Sequence, residues 1–596
     1  MGQFKTIWII CLTTMALTGC SRSIPSQTEV GPSSARGVPN SANRLRFIDT
    51  TTESQIRFTY CSGAEHSYAP ILEEVGGGCG LMDMDRDGWL DAFFPGGGNI
   101  SPSGLQPVPN GCFQNQGDGS FRDVSQSSGL MYSRFYSHGV ASADYDSDGF
   151  PDLLVTGYGG LQLYHNQGDG TFAERAEIAN LTDDLWSTSA AWGDVNRDGH
   201  LDLFVCHYVD WSRDNDPVCH GPEPGLLDSC PPEYFKGLPD SLYLSKGEGT
   251  FEEISKTAGL RSDGKGLGVV MADLDADGDI DIYVANDGVA NFVYRNEGRD
   301  FAGIPRFADV GTESGAALSE SGSADGSMGV AILNLNQDSR PDLWVSNFEF
   351  ETPGLYRNEA DFRFSHIARS AGVASPSGSF VSFGTVSADF DGDGDDDVLV
   401  TNGHISRYPR NGTVQQPCQL FENLGDARFR DVAGAAGECL GTPCMGRGLA
   451  AGDLDGDGDV DVILSPRDQA VRVFKNTQTA VPRWLQIQLV GTTGPRDGHG
   501  ATITLLRNQS RRMHWIYGGE SYLSSSSSWI RFPDDMPGIP LELQVAWPSG
   551  KTQRLIRGES NEWRVDDNSL FRGAAGVLII LEPNSGTELA DRSPSI

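Results

Sequence analysis

The chain has 596 residues, with 44 basic and 81 acidic side chains and a formal net charge of −37. This balance argues against a nucleic-acid surface, which needs clustered Lys and Arg, and favours cationic partners such as metal ions. A wholly disordered chain is excluded, because 28 Phe, 16 Tyr and 11 Trp can fill a large core. The 74 glycines indicate many tight turns and few long helices.

The first predicted element is an export signal over residues 1–19. Lys5 gives a positive start, and residues 7–17 form an apolar stretch of signal-peptide length. The LTGC motif that ends at Cys20 resembles the lipobox of bacterial lipoproteins, which implies cleavage before this cysteine and lipidation of its thiol. An ordinary secretory signal that contains a cysteine is the alternative. Residues 20–42 are rich in Ser, Pro and Gly and predict a flexible tether.

Export predicts an extracytoplasmic chain, anchored to a membrane through Cys20, in calcium-rich and oxidising surroundings. By the lipoprotein rule, Ser21 after the cysteine indicates the outer membrane or cell surface. No later stretch is apolar enough to span a bilayer.

Nine cysteines remain once Cys11 and Cys20 are set aside, so at least one stays unpaired without a partner chain. The closest spacings predict two loop disulfides, which join Cys219 to Cys230 and Cys439 to Cys444. Neither pair forms a CxxC motif, so a structural zinc site is the weaker alternative.

An acidic phrase, DxDxDGxxD, dominates the rest of the chain and recurs seven times. Oxygens at its positions 1, 3 and 5 can converge on one hard cation, Gly at position 6 permits the sharp turn, and the final Asp adds a carboxylate. Crowded protein oxygens favour Ca²⁺ over Mg²⁺. About six calcium sites are predicted, with these ligands: Asp83, Asp85, Asp87 and Asp91; Asp144, Asp146, Asp148 and Asp152; Asp194, Asn196, Asp198 and Asp202; Asp273, Asp275, Asp277 and Asp281; Asp389, Asp391, Asp393 and Asp397; Asp453, Asp455, Asp457 and Asp461.

The remaining copy, Asn334–Asp342, departs from the phrase. Asn334 and Asn336 replace two aspartates, and Ser339 replaces the glycine. Two charges are lost and the turn is harder to form, so this site is expected to be weak or empty.

An EF-hand is the obvious competing interpretation, and two observations exclude it. An EF-hand loop ends with a bidentate Glu at position 12, where these copies carry Phe, Val or Leu. The flanks are also short β-branched and aromatic runs such as LDLFV and IDIYV, which predict strands rather than helices.

A second hairpin follows each loop, typified by LYHNQGDGTFAER, so each repeat predicts about four strands, which is one propeller blade. A superhelical array is the alternative. The last hairpin lacks its final strand. Residues 44–55 contain a strand of this type, but no hairpin partner precedes it in the sequence. This N-terminal strand can complete the seventh blade and close the ring.

These phrases resemble the FG-GAP/VCBS repeats of integrin α-subunits and many bacterial surface proteins. The resemblance spans residues 43–478 and implies an all-β, seven-bladed propeller with calcium in the loops of some blades.

Residues 479–583 predict a small C-terminal β-domain, before a tail over 584–596. RDGHGATITL from Arg496, GGESYLSSSSSWIRF from Gly518 and VAWPSGKTQRL from Val545 resemble the UnbV (ASPIC) domain. Together with the propeller, the chain looks like a bacterial relative of the cartilage acidic protein family. That family is secreted and acidic, but its fold does not settle its function.

No phosphate loop, HExxH zinc helix or GxSxG nucleophile elbow is present in the sequence. His404 and His138 are weak general-base candidates, against the alternative that each bonds to neighbouring backbone. The segment 209–240 is an insertion that could bind a ligand or simply cap a face. Its candidate contact residues are Trp211, His220 and Tyr234. Asn286, Asn347 and Asn402 could line a channel or cap turns.

Two functional hypotheses follow. The preferred one is a calcium-stabilised, monomeric binding or adhesion scaffold for an extracellular glycan or protein. The alternative is a calcium-dependent enzyme, such as a carbohydrate lyase, hydrolase or cyclase, that uses the channel or the 209–240 insert. Loops whose ligands all come from the protein leave the metal no open position, which favours the scaffold.

Overall fold

The computed structural model describes residues 45–583 apart from 65–68, 102–103, 224, 411, 479–483, 508–509, 535–539, 559–562, 566–570 and 575–576. The predicted signal over 1–19, the lipidation site Cys20, the tether and the tail lie outside these residues. Among the described helices there is none with the length and apolar character needed to cross a bilayer. Residues 42–596 cluster as one compact unit.

The described part of residues 45–478 forms seven four-stranded antiparallel sheets, named blades 1 to 7 in chain order. Their strands are Gly80–Met82, Asp91–Phe94, Gly111–Asn115 and Phe121–Asp123 in blade 1; Tyr136–Ala143, Asp152–Tyr158, Gly160–Asn166 and Phe172–Glu174 in blade 2; Ser187–Gly193, Asp202–His207, Ser241–Ser245 and Phe251–Glu253 in blade 3; Gly266–Ala272, Asp281–Asn286, Phe292–Arg299 and Pro305–Asp309 in blade 4; Val330–Leu333, Asp342–Val345, Gly354–Asn358 and Phe364–His366 in blade 5; Ser382–Ala388, Asp397–Asn402, Gln419–Asn423 and Phe429–Asp431 in blade 6; Gly446–Gly452, Asp461–Pro466, Arg472–Asn476 and Phe47–Asp49 in blade 7.

The blades close into a ring around a central axis. The first strand of each blade contacts that of the next, and the first strand of blade 7 contacts that of blade 1. Blade 7 is completed by the N-terminal strand, as the sequence predicts, with Phe47 opposite Asn476 and Asp49 opposite Phe474. The fold is therefore an all-β propeller, and the superhelical array is excluded.

Apolar side chains from neighbouring blades interleave and hold the ring together. Between blades 2 and 3, Leu154 and Leu163 share a core with Trp192 and Leu203. All four side chains are almost fully buried, and complete burial of one such side chain contributes about 1.5–3 kcal/mol. The buried second strands explain the short, continuous apolar runs that follow each acidic loop.

Helices are short, as the glycine content predicts. The described segments are the four-residue helices Thr51–Ser54, Leu72–Val75, Ser255–Ala258, Gly311–Ser314, Ala368–Ala371, Ala374–Ser377, Ala433–Ala436 and Glu438–Gly441, together with the 3₁₀ turn Pro232–Tyr234. Within the described part of residues 45–478, two strand pairs lie outside the blades, Gly98–Ser101 with Gly104–Pro107 and Cys219–His220 with Leu227–Asp228.

The C-terminal domain packs two sheets around its own core. One sheet orders its strands Ser510–Trp515, Thr502–Arg507, Leu541–Ala546, Thr552–Arg557 and Trp563–Val565; the other orders Ile530–Pro533, Trp484–Val490, Val577–Leu581 and Phe571–Ala574. Its core includes Ile487, Ile503, Leu543 and Ile580, which are fully buried.

The propeller axis is filled by a segment of this C-terminal domain, residues 518–527, named the axial segment. It makes hydrogen bonds to the first strand of every blade. The contacts are with Leu81, Val140, Ser189, Met271, Val330, Thr385 and Leu449. The serine-rich phrase GGESYLSSSSSW therefore supplies the hydrogen-bonding groups for seven strand edges that converge at the axis.

Candidate metal centres

Each acidic loop joins the first strand of a blade to its second strand and curls through two left-handed residues. The sixth position has φ of 90–103° in the six glycine copies and 66° at Ser339, which explains why glycine is preferred there. The fourth position is left-handed as well, with φ of 55–75°, a feature that the sequence interpretation missed. It holds Arg86, Ser147, Arg197, Ala276, Gln337, Gly392 and Gly456.

The ninth residue of the loop is a structural latch in all seven copies. One carboxylate oxygen accepts the backbone N–H of the second loop residue, as from Met84 to Asp91 at 3.1 Å. The other oxygen accepts an N–H from the third strand, as from Asn115 at 2.8 Å. The latch residues are Asp91, Asp152, Asp202, Asp281, Asp342, Asp397 and Asp461. This role explains why Asp342 persists in the divergent fifth copy.

An asparagine on the third strand ties neighbouring blades together, which sequence reasoning missed. The Asn166 side chain donates from Nδ2 to the Met84 carbonyl of blade 1 at 2.8 Å, and Asn296 donates to Val195 of blade 3 at 2.9 Å. The signal in the sequence was the Asn that ends the aromatic run in phrases such as LYHNQGDG.

The first residues of the loops in blades 1, 2 and 6 carry buried carboxylate oxygens that accept no hydrogen bond. Both side-chain oxygens of Asp144 and of Asp389 are buried and lack any hydrogen-bond partner, as does Oδ1 of Asp83. Burial raises the pKa of Asp83 and of Asp144 to about 7, and neighbouring aspartates add to the shift. Because an isolated buried carboxylate is costly, these groups require a counter-charge, which a cation can supply.

Several loops bring their carboxylate oxygens close enough to share one metal ion. The converging groups include Asp83, Asp85 and Asp91; Asp144, Asp146 and Asp152; Asp273, Asp275 and Asp281; and Asp389, Asp391 and Asp393. In each group the ligand atoms lie within 4.8 Å of one another. The structure also places a histidine in such a group, because His165 joins Asp146 and Asp148.

In the fifth and seventh loops, a positively charged side chain of the protein contacts the loop aspartates. In the fifth copy the Arg340 guanidinium contacts Asp338, and in the seventh the Lys475 ammonium contacts both Asp455 and Asp457. A metal ion at either loop would compete with the internal cation. The sequence anticipated a weak fifth site from its missing charges, but nothing in the loop phrase itself indicated the lysine in the seventh.

The C-terminal domain covers the face of the propeller that carries these loops. Asp497 accepts the Asp144 backbone N–H at 3.2 Å, and the Trp484 indole N–H donates to Asp459 at 2.9 Å. Arg512 donates to the Asp393 carbonyl at 2.7 Å. A cavity of about 280 Å³ between the two parts is lined by the first residues of the loops in blades 1, 2 and 6.

Neither histidine proposed as a general base lies in an open site. His138 is fully buried, its Nδ1 lies 2.8 Å from the Gly76 carbonyl, and burial lowers its pKa to about 4. His404 is 2% exposed, and its Nδ1 accepts the Ser406 backbone N–H at 2.9 Å. Both side chains match the alternative in which histidine bonds to nearby backbone.

The three asparagines that follow the second strands cap turns. The Asn286 side chain bonds to the Lys265 N–H and the Ala290 carbonyl. Asn347 and Asn402 are also buried and donate from Nδ2 to local carbonyls.

The 209–240 insert joins the second and third strands of blade 3, at the end of the propeller opposite the acidic loops. It reaches blade 6, where Asp228 accepts the Ser406 hydroxyl at 2.5 Å and the Arg407 N–H at 3.0 Å. Trp211 is buried at 3% exposure, which corrects its assignment as a ligand contact, whereas Tyr234 is 62% exposed.

One of the two predicted disulfides is present. Cys219 and Cys230 are joined, with their Cα atoms 5.2 Å apart. The Cys439–Cys444 prediction was wrong, because both thiols are free. Cys444 pairs its backbone with Gln416, and its thiol interacts with that of Cys418 instead.

Family comparisons agree with this architecture. A family model described as "FG-GAP-like repeat" matches residues 83–155, 144–205, 237–284, 273–345 and 334–400. A second model, "ASPIC and UnbV", matches residues 491–564 of the C-terminal domain. The chain is an FG-GAP-like repeat protein with a C-terminal ASPIC and UnbV domain.

This FG-GAP-like repeat protein is similar to cartilage acidic protein 1 of Xenopus tropicalis, with 25% identity over 456 residues. The match covers 71% of this chain and 63% of the frog protein. With the human protein of the same name the identity is 25% over 181 residues, which cover 30% of this chain and 24% of the human one. The chain thus spans less than two thirds of these relatives.

Solved structures with a similar chain path include β-propellers. A lectin from Agrocybe aegerita, which recognises non-reducing terminal N-acetylglucosamine, has a TM-score of 0.37 at 16% identity, covering 61% of this chain and 87% of the lectin. The lectin from Aleuria aurantia, a six-bladed β-propeller, has a TM-score of 0.31 at 11% identity, covering 59% and 94%.

Proposed function

We propose that this chain is a calcium-stabilised extracytoplasmic scaffold, held at a membrane by a lipid on Cys20, that binds a glycan or a protein outside the cell. In this proposal the ions stabilise the propeller and its junction with the C-terminal domain. The ligand binds to an exposed face.

The observation that supports calcium is that the first residues of the loops in blades 1, 2 and 6 have buried carboxylate oxygens without a hydrogen bond. Asp144 and Asp389 have no hydrogen bond to either side-chain oxygen, and both lie in groups of converging aspartates. A divalent cation would offset this charge, and clustered carboxylates with loop carbonyls are the ligands that Ca²⁺ prefers. The ligands predicted from the sequence are the calcium ligands in this proposal, and the fifth and seventh loops are expected to be the weakest sites.

The filled axis favours a scaffold over an enzyme that works in the channel. Tyr522 and Leu523 of the axial segment are fully buried at the level of the first strands. A substrate at this level would have to displace a segment that is hydrogen-bonded to all seven blades. The 209–240 insert, in contrast, exposes side chains to which a ligand has access.

The insert exposes an apolar and an aromatic side chain on a loop that a disulfide constrains. Val218 and Tyr234 are 70% and 62% exposed, on either side of the Cys219–Cys230 disulfide. A rigid loop loses little conformational entropy on binding, and an exposed tyrosine offers a flat face and a hydroxyl to a sugar or a peptide. We therefore assign ligand binding to this insert.

Arrays of glycans and of extracellular-matrix proteins, probed with the full chain in calcium and in EGTA, test the proposal. Y234A is expected to weaken saturable binding. Y132A is a matched control, because Tyr132 is 65% exposed but lies in the connection between blades 1 and 2, outside the insert. Binding without turnover supports the scaffold. Release of a cleaved product would overturn it in favour of the enzyme, and equal losses in both variants would exclude the insert.

A further inference from the structure

We propose that the loop of blade 2 is a mixed nitrogen–oxygen site that binds a first-row divalent transition metal, Zn²⁺ in preference, with His165 as a ligand beside the loop aspartates. This proposal replaces calcium in the blade 2 loop, so the four aspartates of that loop leave the set of calcium ligands proposed above. It leaves the calcium sites of the other loops and the ligand-binding role of the insert unchanged.

The position of the imidazole points to a shared ion. Nδ1 of His165 lies 3.2 Å from Oδ2 of Asp146 and 3.3 Å from Oδ1 of Asp152. This nitrogen is buried and makes no hydrogen bond, even though both oxygens are near. Ligands of one metal ion approach each other in this way, because their lone pairs point at the ion rather than at each other.

A second observation comes from Asp144 in the same loop. Its side chain is 4% exposed, and neither carboxylate oxygen has a hydrogen-bond partner. One oxygen lies within 4.8 Å of ligand atoms of Asp146 and Asp152, and His165 lies equally close to Asp146 and Asp148. Two overlapping groups of ligand atoms, one with Asp144 and one with His165, therefore share Asp146 in this loop. A nearby cation is Arg86 of blade 1, whose guanidinium lies over the Phe150 ring at 4.8 Å.

The histidine is peculiar to blade 2. The residue that precedes the third-strand Asn or Ser varies among the seven described blades, and it is histidine in blade 2 alone. In the other blades it is Gln114, Leu244, Arg295, Arg357, Glu422 and Lys475. Gln114 of blade 1 is placed most like His165, because its Nε2 donates to Oδ2 of Asp85 at 2.5 Å and Asp85 is the equivalent of Asp146.

The imidazole ligand determines which metal ion the blade 2 loop prefers. Imidazole is a good ligand for Zn²⁺, Cu²⁺, Fe²⁺ and Ni²⁺, whereas Ca²⁺ takes oxygen ligands almost throughout. Replacing one oxygen by a ring nitrogen shifts the preference toward the transition metals, and their affinity order places Zn²⁺ above Mn²⁺. The blade 2 loop is therefore expected to retain such an ion when calcium fills the neighbouring loops.

The competing explanation is that a protonated His165 neutralises the loop, as Lys475 does in blade 7. The two explanations predict opposite effects of removing the ring. If His165 is a ligand, its loss weakens transition-metal binding. If it is a counter-ion, its loss leaves transition-metal binding unchanged and strengthens calcium binding.

The test uses Co²⁺ as an optical probe for the Zn²⁺ site, titrated into the full chain in excess calcium. The native chain is expected to bind one Co²⁺ in this loop, and Zn²⁺ to displace it. H165Q gives blade 2 the side chain of blade 1 and should lower this Co²⁺ affinity by about tenfold or more.

The reciprocal variant Q114H should create a second Co²⁺ site in blade 1, which keeps the test decisive if H165Q folds poorly. Complete displacement of Co²⁺ by calcium in the native chain, unchanged Co²⁺ binding in H165Q, or tighter calcium binding in H165Q alone would each overturn the proposal. None of these outcomes affects the ligand-binding test of the insert.

Discussion

Nζ of Lys475 lies 3.0 Å from Oδ2 of Asp457, inside a loop that has all four aspartates of the acidic phrase. The same ammonium contacts Asp455, and the two carboxylates raise the pKa of the lysine above its ordinary value. The lysine is therefore charged at neutral pH. Blade 7 thus carries a complete set of predicted calcium ligands together with a resident cation that competes for them.

Replacing this lysine is expected to strengthen calcium binding. K475Q removes the competing charge and gives blade 7 the side chain that blade 1 has at Gln114. Calorimetric titration with calcium should show either one additional ion or a tighter weakest site. K256Q, which removes an exposed lysine from a helix distant from the loop phrase, is the control and should leave the titration unchanged. An unaltered titration in K475Q would contradict the competition.

Calcium removal is expected to destabilise the whole propeller. Each site filled at a hundred times its Kd adds about 2.7 kcal/mol to the free energy of unfolding, and several sites act together. EGTA should therefore lower the melting temperature strongly, as followed by calorimetry or tryptophan fluorescence. A melting temperature that is the same in calcium and in chelator would refute a structural role for the ions.

Reversing one charge in a loop should have a comparable effect. D85K or D391K places an ammonium among carboxylates that are expected to hold calcium, so folding yield and melting temperature should fall. D118K makes the same charge change at an exposed hairpin turn, where the carboxylate bonds only to Ser120, and should behave like the native chain. Equal losses in all three variants would mean that charge alone, and not ion binding, is responsible.

Much of this architecture follows from repetition in the sequence. The acidic phrase, its flanking strands and the unpaired N-terminal strand predict the blades, and Phe47 opposite Asn476 shows how the ring closes. Local phrases could not reveal contacts between distant segments. The axial position of Tyr522 depends on a domain that begins after the last blade, and the Cys418–Cys444 contact depends on a backbone pairing between loops.

The candidate sites were predictable to a similar extent. The aspartates of each loop are visible in the phrase, but the side chain opposite them comes from the third strand. His165 and Lys475 therefore gave no signal until the hairpin register was known. The ninth aspartate was visible in the sequence, but its structural role was not. It was predicted as a metal ligand, and in the structure both of its carboxylate oxygens also accept backbone N–H groups.

The metal-free protein should become more stable in acid. Burial raises the pKa of Asp83 and of Asp144 from 3.8 to about 7. A carboxyl group with a raised pKa contributes stability that is fully present below its unfolded pKa and is lost as the pH rises through its folded pKa. In EGTA the melting temperature should therefore fall between about pH 4 and pH 7 and remain low above that range.

Saturating calcium should weaken this trend, because the ion holds the same carboxylates ionised. D144N removes one titrating group and should reduce the pH dependence measured in EGTA, while D118N, at an exposed carboxyl, should not. A melting temperature in chelator that rises steadily from pH 4 to pH 8 would contradict the role assigned to burial.

The axial segment is expected to make the propeller and the C-terminal domain unfold together. Tyr522 is fully buried, packs edge-on against Phe383 at 5.0 Å and donates its hydroxyl to the Val75 carbonyl at 2.9 Å. Y522A would leave a cavity at the axis and should lower the free energy of unfolding by about 3–5 kcal/mol. Y522F removes only the hydroxyl and should cost about 1 kcal/mol.

Urea unfolding in calcium, followed by tryptophan fluorescence, measures both variants. The native chain should show one cooperative transition, and Y522A should shift the whole of it, because the axial segment bonds to the first strands of all blades. Y132A, at an exposed tyrosine, should leave the midpoint unchanged. If the native chain instead unfolds in two steps and Y522A moves only the step of the C-terminal domain, the axial segment does not support the ring, and the seven blades are stable without it.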